Sequence, residues 1–277
     1  MSKVPSITLN NGVAMPQLGF GVWQVPDDEA AQAVATALEA GYRSIDTAAI
    51  YENETGTGRA IAASGVPRED LFVTTKLWND SQGYDATLRA FDASLGKLGL
   101  DRVDLYLIHW PMPSRDEYVD TYRAFEKILS DGRAGAIGVS NFLPEHLERL
   151  IGETSVVPAV NQIELHPQLQ QSASRAFHAE HGIVTEAWSP LGQGRGLLEV
   201  PTVIAIARKH GRTPAQAVLR WHLQLGHVVI PKSVTPSRIR ENLDVFDFEL
   251  DADDLAALAA LDEGKRLGPD PAVFDVV

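Results

Sequence analysis

Four side chains able to hold or move a proton each follow an apolar run in this chain. Asp46 closes Ser44-Ile45, and Tyr51 stands beyond Ala48, Ala49 and Ile50. Lys76 follows Leu71-Phe-Val-Thr-Thr75, and His109 follows Val103-Asp-Leu-Tyr-Leu-Ile108. A carboxylate, a phenol, an ammonium and an imidazole are groups that general acid–base chemistry employs. Each also has a plain structural use. Asp46 can cap the turn after its strand, and Tyr51 can pack in a seam. A lysine after a strand is usually solvated, and a lone histidine is usually satisfied by one hydrogen bond. The set carries chemical meaning only if one architecture brings all four to one place.

The pattern of the chain supplies such an architecture. Residues 5 to 17 read as a hairpin, with Ser6–Leu9 and Val13–Met15 flanking Asn10-Asn-Gly12, a pair of residue types that suits a tight turn. Leu18-Gly-Phe-Gly-Val22 is a short strand with close-approach glycines. Asp27 and Asp28 open a helix whose face is Ala30, Ala33, Val34, Ala37 and Leu38, and Gly41 can end it. Strand and helix then alternate. Strands are expected at the stretch closed by Ile45 and at 71–75, 103–108, 136–139, 158–161, 183–186 and 228–230. Helices are expected through Ala63, from Tyr84 to Leu98, over the Tyr118, Tyr122, Phe125 and Leu129 face, from Pro144, from Thr213 to Leu225 and from Asp251 to Leu261. Thr213-Pro-Ala-Gln216 is a capping box with proline in the first turn.

Eight short apolar strands alternating with amphipathic helices argue for parallel β/α units. With 277 residues and no internal linker, a single (β/α)8 TIM barrel over residues 1–277 is the leading choice, carrying an N-terminal β-hairpin and a short C-terminal tail. An open doubly wound sheet is the alternative. In a barrel of this kind, functional groups come from the carboxyl ends of the strands. Those positions carry Trp23, Asp46, Lys76, His109, Ser140 and Asn141, Gln162 and Glu164, Trp188 and Ser189, and Lys232 and Ser233. All would converge on one mouth. Trp23, Trp78 and Trp110 would give that mouth an apolar substrate wall, with His109 beside them. Trp221 sits within a helix pattern and is expected in the core.

Composition removes several functions. There is no cysteine, which excludes thiolate metal sites, disulfides and a cysteine nucleophile. The formal net charge of −13 repels polyanions, so neither nucleic acid nor an anionic membrane is an expected partner. No apolar run approaches the roughly 20 residues that span a bilayer. The N-terminal residues lack the apolar core of a signal peptide, and a cytoplasmic monomer is expected. Against this acidic background, Lys232, Arg238 and Arg240 cluster around Thr235-Pro236, which reads as a helix start. Helix N-termini and arginine side chains suit phosphate groups.

Six stretches carry a resemblance. They are Gly41-Tyr-Arg-Ser-Ile-Asp-Thr-Ala48 with Tyr51, Thr75-Lys-Leu-Trp78, Asp104-Leu-Tyr-Leu-Ile-His-Trp-Pro111, Gly138-Val-Ser-Asn-Phe142, Asn161-Gln-Ile-Glu164, and Ile230-Pro-Lys-Ser233 with Arg238, Glu241 and Asn242. Together they resemble the signatures of the aldo-keto reductase family, in the family's order and over nearly the whole chain. Val156–Gln162 and Asn242–Phe248 are most similar to the bacterial 2,5-diketo-D-gluconate reductase group.

The resemblance implies hydride transfer between a nicotinamide and an aldehyde or ketone, among them diketo sugar acids or small dicarbonyls. Tyr51 is then the proton donor and Lys76 the ammonium expected to lower its pKa. Asp46 holds Lys76, and His109 hydrogen-bonds the carbonyl oxygen. The resemblance further implies NADPH as the cofactor. Lys232, Ser233 and Arg238 would take its 2′-phosphate, with Glu241 and Asn242 at the adenine. Trp188 would stack on the nicotinamide, Ser140, Asn141 and Gln162 would bind the carboxamide, and Ser189, Leu191 and Gln193 would line the pyrophosphate path. Gly192-x-Gly194-x-Gly196 lacks the spacing and context of a Rossmann fingerprint and reads as a loop over the cofactor. The short segment after Pro111 and the short tail after Leu261 differ from longer-looped animal members. The loops set substrate choice in that family, so the resemblance speaks only weakly to the substrate.

Two other functions compete. A barrel glycosidase could pair Asp46 with Glu164 or Glu186, but leaves Tyr51, Lys76 and the basic cluster without a task. A nucleotide-binding regulatory subunit would keep the cofactor site and lose turnover, against the intact set of four. No metal is expected: His178-Ala-Glu-His181 is not the His-Glu-x-x-His pattern, and its histidines are expected on a solvated helix face.

Overall fold

The computed structural model describes residues 4–277. Strands β1 (Ser6–Thr8) and β2 (Ala14–Pro16) form the expected antiparallel hairpin. Eight parallel strands follow: β3 (Phe20–Gly21), β4 (Ser44–Asp46), β5 (Phe72–Leu77), β6 (Val103–Ile108), β7 (Ala134–Ser140), β8 (Val160–Glu164), β9 (Val184–Trp188) and β10 (Val228–Val229). Each pairs with its neighbour in chain order. The last strand returns to the first through Leu18 opposite Val229, with Gly19 N–H donating to Val229 O at 2.8 Å and Gly21 N–H to Pro231 O at 3.2 Å. The sheet is thus closed, and the open-sheet alternative is excluded. A Cβ on Gly19 would stand 2.9 Å from Ser44 Oγ and 3.1 Å from Ile230 Cγ2, so a glycine lies where the chain passes closely by its neighbours at the closure.

The surrounding helices are α1 (Asp27–Ala40), α2 (Glu54–Ala63), α3 (Tyr84–Leu98), α4 (Tyr118–Ser130), α5 (Pro144–Glu153), α6 (Ser172–Glu180), α7 (Pro201–Lys209), α8 (Pro214–Gln224), α9 (Pro236–Leu243) and α10 (Ala252–Ala259). α1 begins with three acids in its first turn, favourable at the positive end of a helix, and ends at Gly41 with φ 115°. The α8 capping box forms as expected. Thr213 Oγ1 accepts from Gln216 N–H, Gln216 Oε1 accepts from Thr213 N–H, and a cap of this kind contributes about 1 kcal/mol. Helix α7 lies outside the sequence expectations, although Pro201 at its first turn marks its start.

The barrel is filled in layers. At its amino end, Leu9 and Met15 of the hairpin region pack with Phe72, Leu105, Leu107, Ala136, Val160 and Val228, so the hairpin plugs the bottom with apolar side chains. Outside, helix faces bury two further apolar clusters against the strands, and Trp221 lies in one of them, 1% exposed. Above the plug the interior is polar: Asp46, Lys76, Gln162 and Glu186 are buried side chains of strand residues. Several strands therefore run further than the apolar stretches that suggested them. β5 reaches Leu77, β8 runs to Glu164 rather than ending at Asn161, and β9 runs to Trp188 rather than ending at Glu186.

Candidate active site

Strand alternation aims Asp46 on β4 and Lys76 on β5 into the barrel. Lys76 is fully buried and Asp46 is 2% exposed. Lys76 Nζ donates to Asp46 Oδ1 at 2.5 Å and to Thr47 O at 2.9 Å. Burial pulls the Lys76 pKa down, but the charges of Asp46 and Tyr51 more than offset it, and the group stays above its usual value. Lys76 is therefore an ammonium. Its Nζ lies 5.1 Å from the centroid of the Tyr51 ring.

Tyr51 sits on the short turn after β4, half-buried, its ring 5.6 Å from that of His109 in an edge-on arrangement. The expected direction of its pKa is corrected here. Burial raises the phenol, Lys76 is the largest opposing influence, and the net is a pKa above the ordinary tyrosine value. The ammonium limits the rise rather than producing a fall, because burial disfavours phenolate more than one cation favours it.

His109 follows β6 and is held as neutral imidazole: burial and then the Lys76 charge press its pKa well below the usual value. Its Nδ1 is buried without a hydrogen-bond partner. Trp78 meets its ring edge-on at 5.2 Å. Trp110 is buried and tilts against Phe274 at 4.3 Å, so the tail supplies part of the wall. Trp23 is 41% exposed at the rim.

The residues expected at a nicotinamide are already linked to one another. Trp188 Nε1 donates to Asn141 Oδ1 at 2.8 Å, and Asn141 Nδ2 donates to His109 O at 2.9 Å. Asn141 is left-handed at φ 63°, a conformation asparagine tolerates. Ser140 Oγ donates to Gln162 O at 2.8 Å. The Gln162 amide nitrogen is shared, donating to Asp46 Oδ2 at 2.9 Å and to Glu186 Oε2 at 2.8 Å. Beyond β9, Gln193 Nε2 donates to Ser189 Oγ at 2.9 Å, and Leu191 packs against the outer core. Ser189 and Gln193 both have positive φ, which folds this segment into a tight, glycine-rich turn.

At the last strand, Lys232 and Arg238 are exposed, while Arg240 reaches back to Pro236 O. Ser233 Oγ accepts from Thr235 N–H just before α9. Glu241 faces inward and accepts from Thr213 Oγ1 at 2.8 Å, and Asn242 is buried.

Two acids gained roles that their sequence positions did not reveal. Glu164, at the end of β8, accepts from His166 Nε2 at 3.0 Å, Leu267 N–H at 2.7 Å and Gly268 N–H at 2.9 Å. It pins the tail beside Trp188, where a Cβ on Gly268 would stand 2.5 Å from the indole. Glu186 lies deeper, and its one visible signal is its place two residues before Trp188, on the inward face of β9. Asp46 is committed to Lys76, Glu164 to the tail, and Gln162 stands between Asp46 and Glu186, so neither pairing offers two free carboxylates of the glycosidase kind. His178 is also corrected: it is buried, bridging Asn161 and Thr185 at 2.9 and 2.8 Å, and only His181 lies nearer the surface, stacked on Phe177.

A closed (β/α)8 barrel with this mouth defines a nicotinamide-dependent carbonyl reductase class, and the family model described as "Aldo/keto reductase family" matches residues 15–263. The chain belongs to the aldo/keto reductase family and is an NADP-dependent oxidoreductase. An aldo-keto reductase of Mycolicibacterium smegmatis is 63% identical over 271 residues, 98% of each chain. The methylglyoxal reductase DkgA of Escherichia coli K12 is 54% identical over 275 residues, 99% of each chain. A Brucella melitensis aldo/keto reductase structure superposes with TM-score 0.92 at 59% identity, covering 95% of this chain and 99% of that one. A variant of Gox0644 solved in complex with NADPH superposes with TM-score 0.95 at 52% identity, covering 99% of each.

Proposed function

We propose that this enzyme reduces small aldehydes and ketones, α-dicarbonyls among them, with NADPH, Tyr51 giving the proton. The observation that carries the reading is the buried Asp46–Lys76 pair beneath Tyr51, with neutral His109 beside the phenol. The dicarbonyl class is supported by the DkgA relatives, which are named methylglyoxal reductases. The cofactor fits the residues present. Lys232 and Arg238 are exposed cations at the start of α9, whereas Arg212 nearby is spent on Asp244 and Asp247. Two such cations suit a 2′-phosphate and favour NADPH over NADH. Trp188 offers an indole face at the mouth, with Asn141 fixing its orientation.

When bound, NADPH supplies the hydride that reaches the carbonyl carbon. His109, a neutral donor in a buried site, orients the carbonyl oxygen. Tyr51 gives its hydroxyl proton to the alkoxide, and Lys76 stabilises the phenolate left behind. Asp46 keeps Lys76 in place. Trp23, Trp78, Trp110 and Phe274 form an apolar wall that admits small substrates and excludes water. The reading extends to a cytoplasmic monomer. It draws support from exposed large apolar side chains that, outside the tail, are separate along the chain: Trp23, Ile50, Tyr84 and Val234.

The test is NADPH fluorescence titration followed by NADPH oxidation against a carbonyl panel. Binding, turnover of small dicarbonyls, and at least tenfold weaker NADPH binding in Arg238→Ala are expected. Unchanged NADPH affinity in Arg238→Ala would remove the phosphate assignment, and binding without turnover would favour a regulatory subunit.

A further inference from the structure

Glu186 is a buried acid that the reaction as derived above does not use. It stands on the inward face of β9, opposite Gln162 on β8 in the strand register. Its side chain is 1% exposed. Gln162 Nε2 donates to Glu186 Oε2 at 2.8 Å and to Asp46 Oδ2 at 2.9 Å, so one amide group bridges the two acids. Glu186 Oε1 has no hydrogen-bond partner. The charges that reach it are Asp46 from β4 and Lys76 from β5, and Tyr51 feels its charge in turn. From β10, only Val228 stands in register with it. Among the described residues, the interior thus holds one ammonium, already paired with Asp46, and no second cation for a second carboxylate.

We propose that Glu186 is a positioning residue of the Asp46–Lys76–Tyr51 group: it holds Gln162 on Asp46 and, as a neutral acid, leaves Asp46 as the one anion facing Lys76. The proposal rests on the reading of Tyr51 as proton donor. Neutral Glu186 fixes Gln162 by accepting one of its two amide protons, and the other amide proton orients Asp46. When Glu186 loses its proton to solvent, a buried negative charge appears near Lys76 and Tyr51. That charge raises the phenol further and makes it a poorer acid for carbonyl reduction. Burial, then the Asp46 charge, push the Glu186 carboxyl up to about 8, which sets the pH at which this occurs. The positioning group is therefore built to work at neutral pH and to weaken in alkali.

Two measurements test the proposal. Infrared spectroscopy of the protein without cofactor reads the carboxylic-acid C=O band directly. The wild type is expected to show one at pH 7 that fades with a midpoint about 8, and Glu186→Gln is expected to lack it. The second is the pH profile of kcat for carbonyl reduction. The wild-type ratio of kcat at neutral to alkaline pH is expected to contain a several-fold step with the same midpoint, absent in Glu186→Gln. The shape of the profile, not its height, is the readout, because a merely structural change would scale all points together. A neutral-pH spectrum of the wild type without the acid band overturns the proposal, whether or not the variant folds. A Glu186→Gln profile that keeps the step also overturns it. A wild type with the band but no turnover would leave Glu186 protonated and strike instead at the reductase reading.

Discussion

Glu164 and Glu186 lie on neighbouring strands of the same barrel, both buried, and the structure leaves one ionised and the other neutral. Burial pushes Glu164 up, yet donation from His166, Gly268 and Leu267 outweighs it and leaves the carboxyl below its usual value. Glu186 meets one amide donor and a neighbouring anion, and burial wins. Burial alone therefore does not decide whether a buried acid is ionised. The N–H groups and charges facing it decide as well, because each hydrogen bond to a charged group contributes about 1.5–3 kcal/mol against a desolvation cost of several kcal/mol. The ionised acid sits at the mouth and ties down a chain segment. The neutral one sits beneath the reacting groups, where a second charge would disturb them.

The comparison breaks most visibly at Glu164. Glu164→Ala removes the acceptor of three donors and frees the tail beside Trp188 and Trp110. KM for carbonyl substrates should rise several-fold to tenfold with a smaller change in kcat, and trypsin should cut faster after Lys265 or Arg266. An unchanged KM together with unchanged proteolysis would show that the tail is held by other contacts.

A smaller effect sharpens the contrast through pH. Glu164, with a lowered folded pKa, contributes stability present above its unfolded value near 4.5 and lost as pH falls through the folded value. Glu186, with a raised folded pKa, acts in the other sense: the protein loses stability as pH rises from about 4.5 to about 8. Urea denaturation should therefore show Glu186→Gln gaining on the wild type across that window, by an amount on the order of a few kcal/mol at most. Glu164→Gln should lose most at neutral pH and approach the wild type in acid. Parallel curves for the two variants would contradict the assignment of charge.

The convergence of the candidate residues is legible because strands announce themselves by apolar runs, and the residue just past each run faces the mouth. Asp46, Lys76 and His109 each follow such a run, and the barrel brings them together with Tyr51. The same rule failed where a strand continues through polar residues. β8 and β9 run past the expected ends at Asn161 and Glu186, since Gln162 bonds Asp46 and Glu186, and Glu164 bonds the tail, rather than water. The burial of His178 is hidden in the sequence for the same reason: its partners, Asn161 and Thr185, come from two other segments. The direction of the Tyr51 pKa needed coordinates, because it depends on how far burial outweighs a single ammonium. The tail reads as irregular in sequence, and only contacts with Glu164, Asn79 and Trp110 reveal that it closes the mouth.

The central claim is that Tyr51 delivers the proton while other residues hold NADPH, and Tyr51→Phe separates the two. NADPH affinity from fluorescence titration should match the wild type, and kcat for a small dicarbonyl should fall by roughly 10²–10⁴, the usual contribution of a positioned general acid. Near-normal turnover with intact NADPH binding would contradict the account.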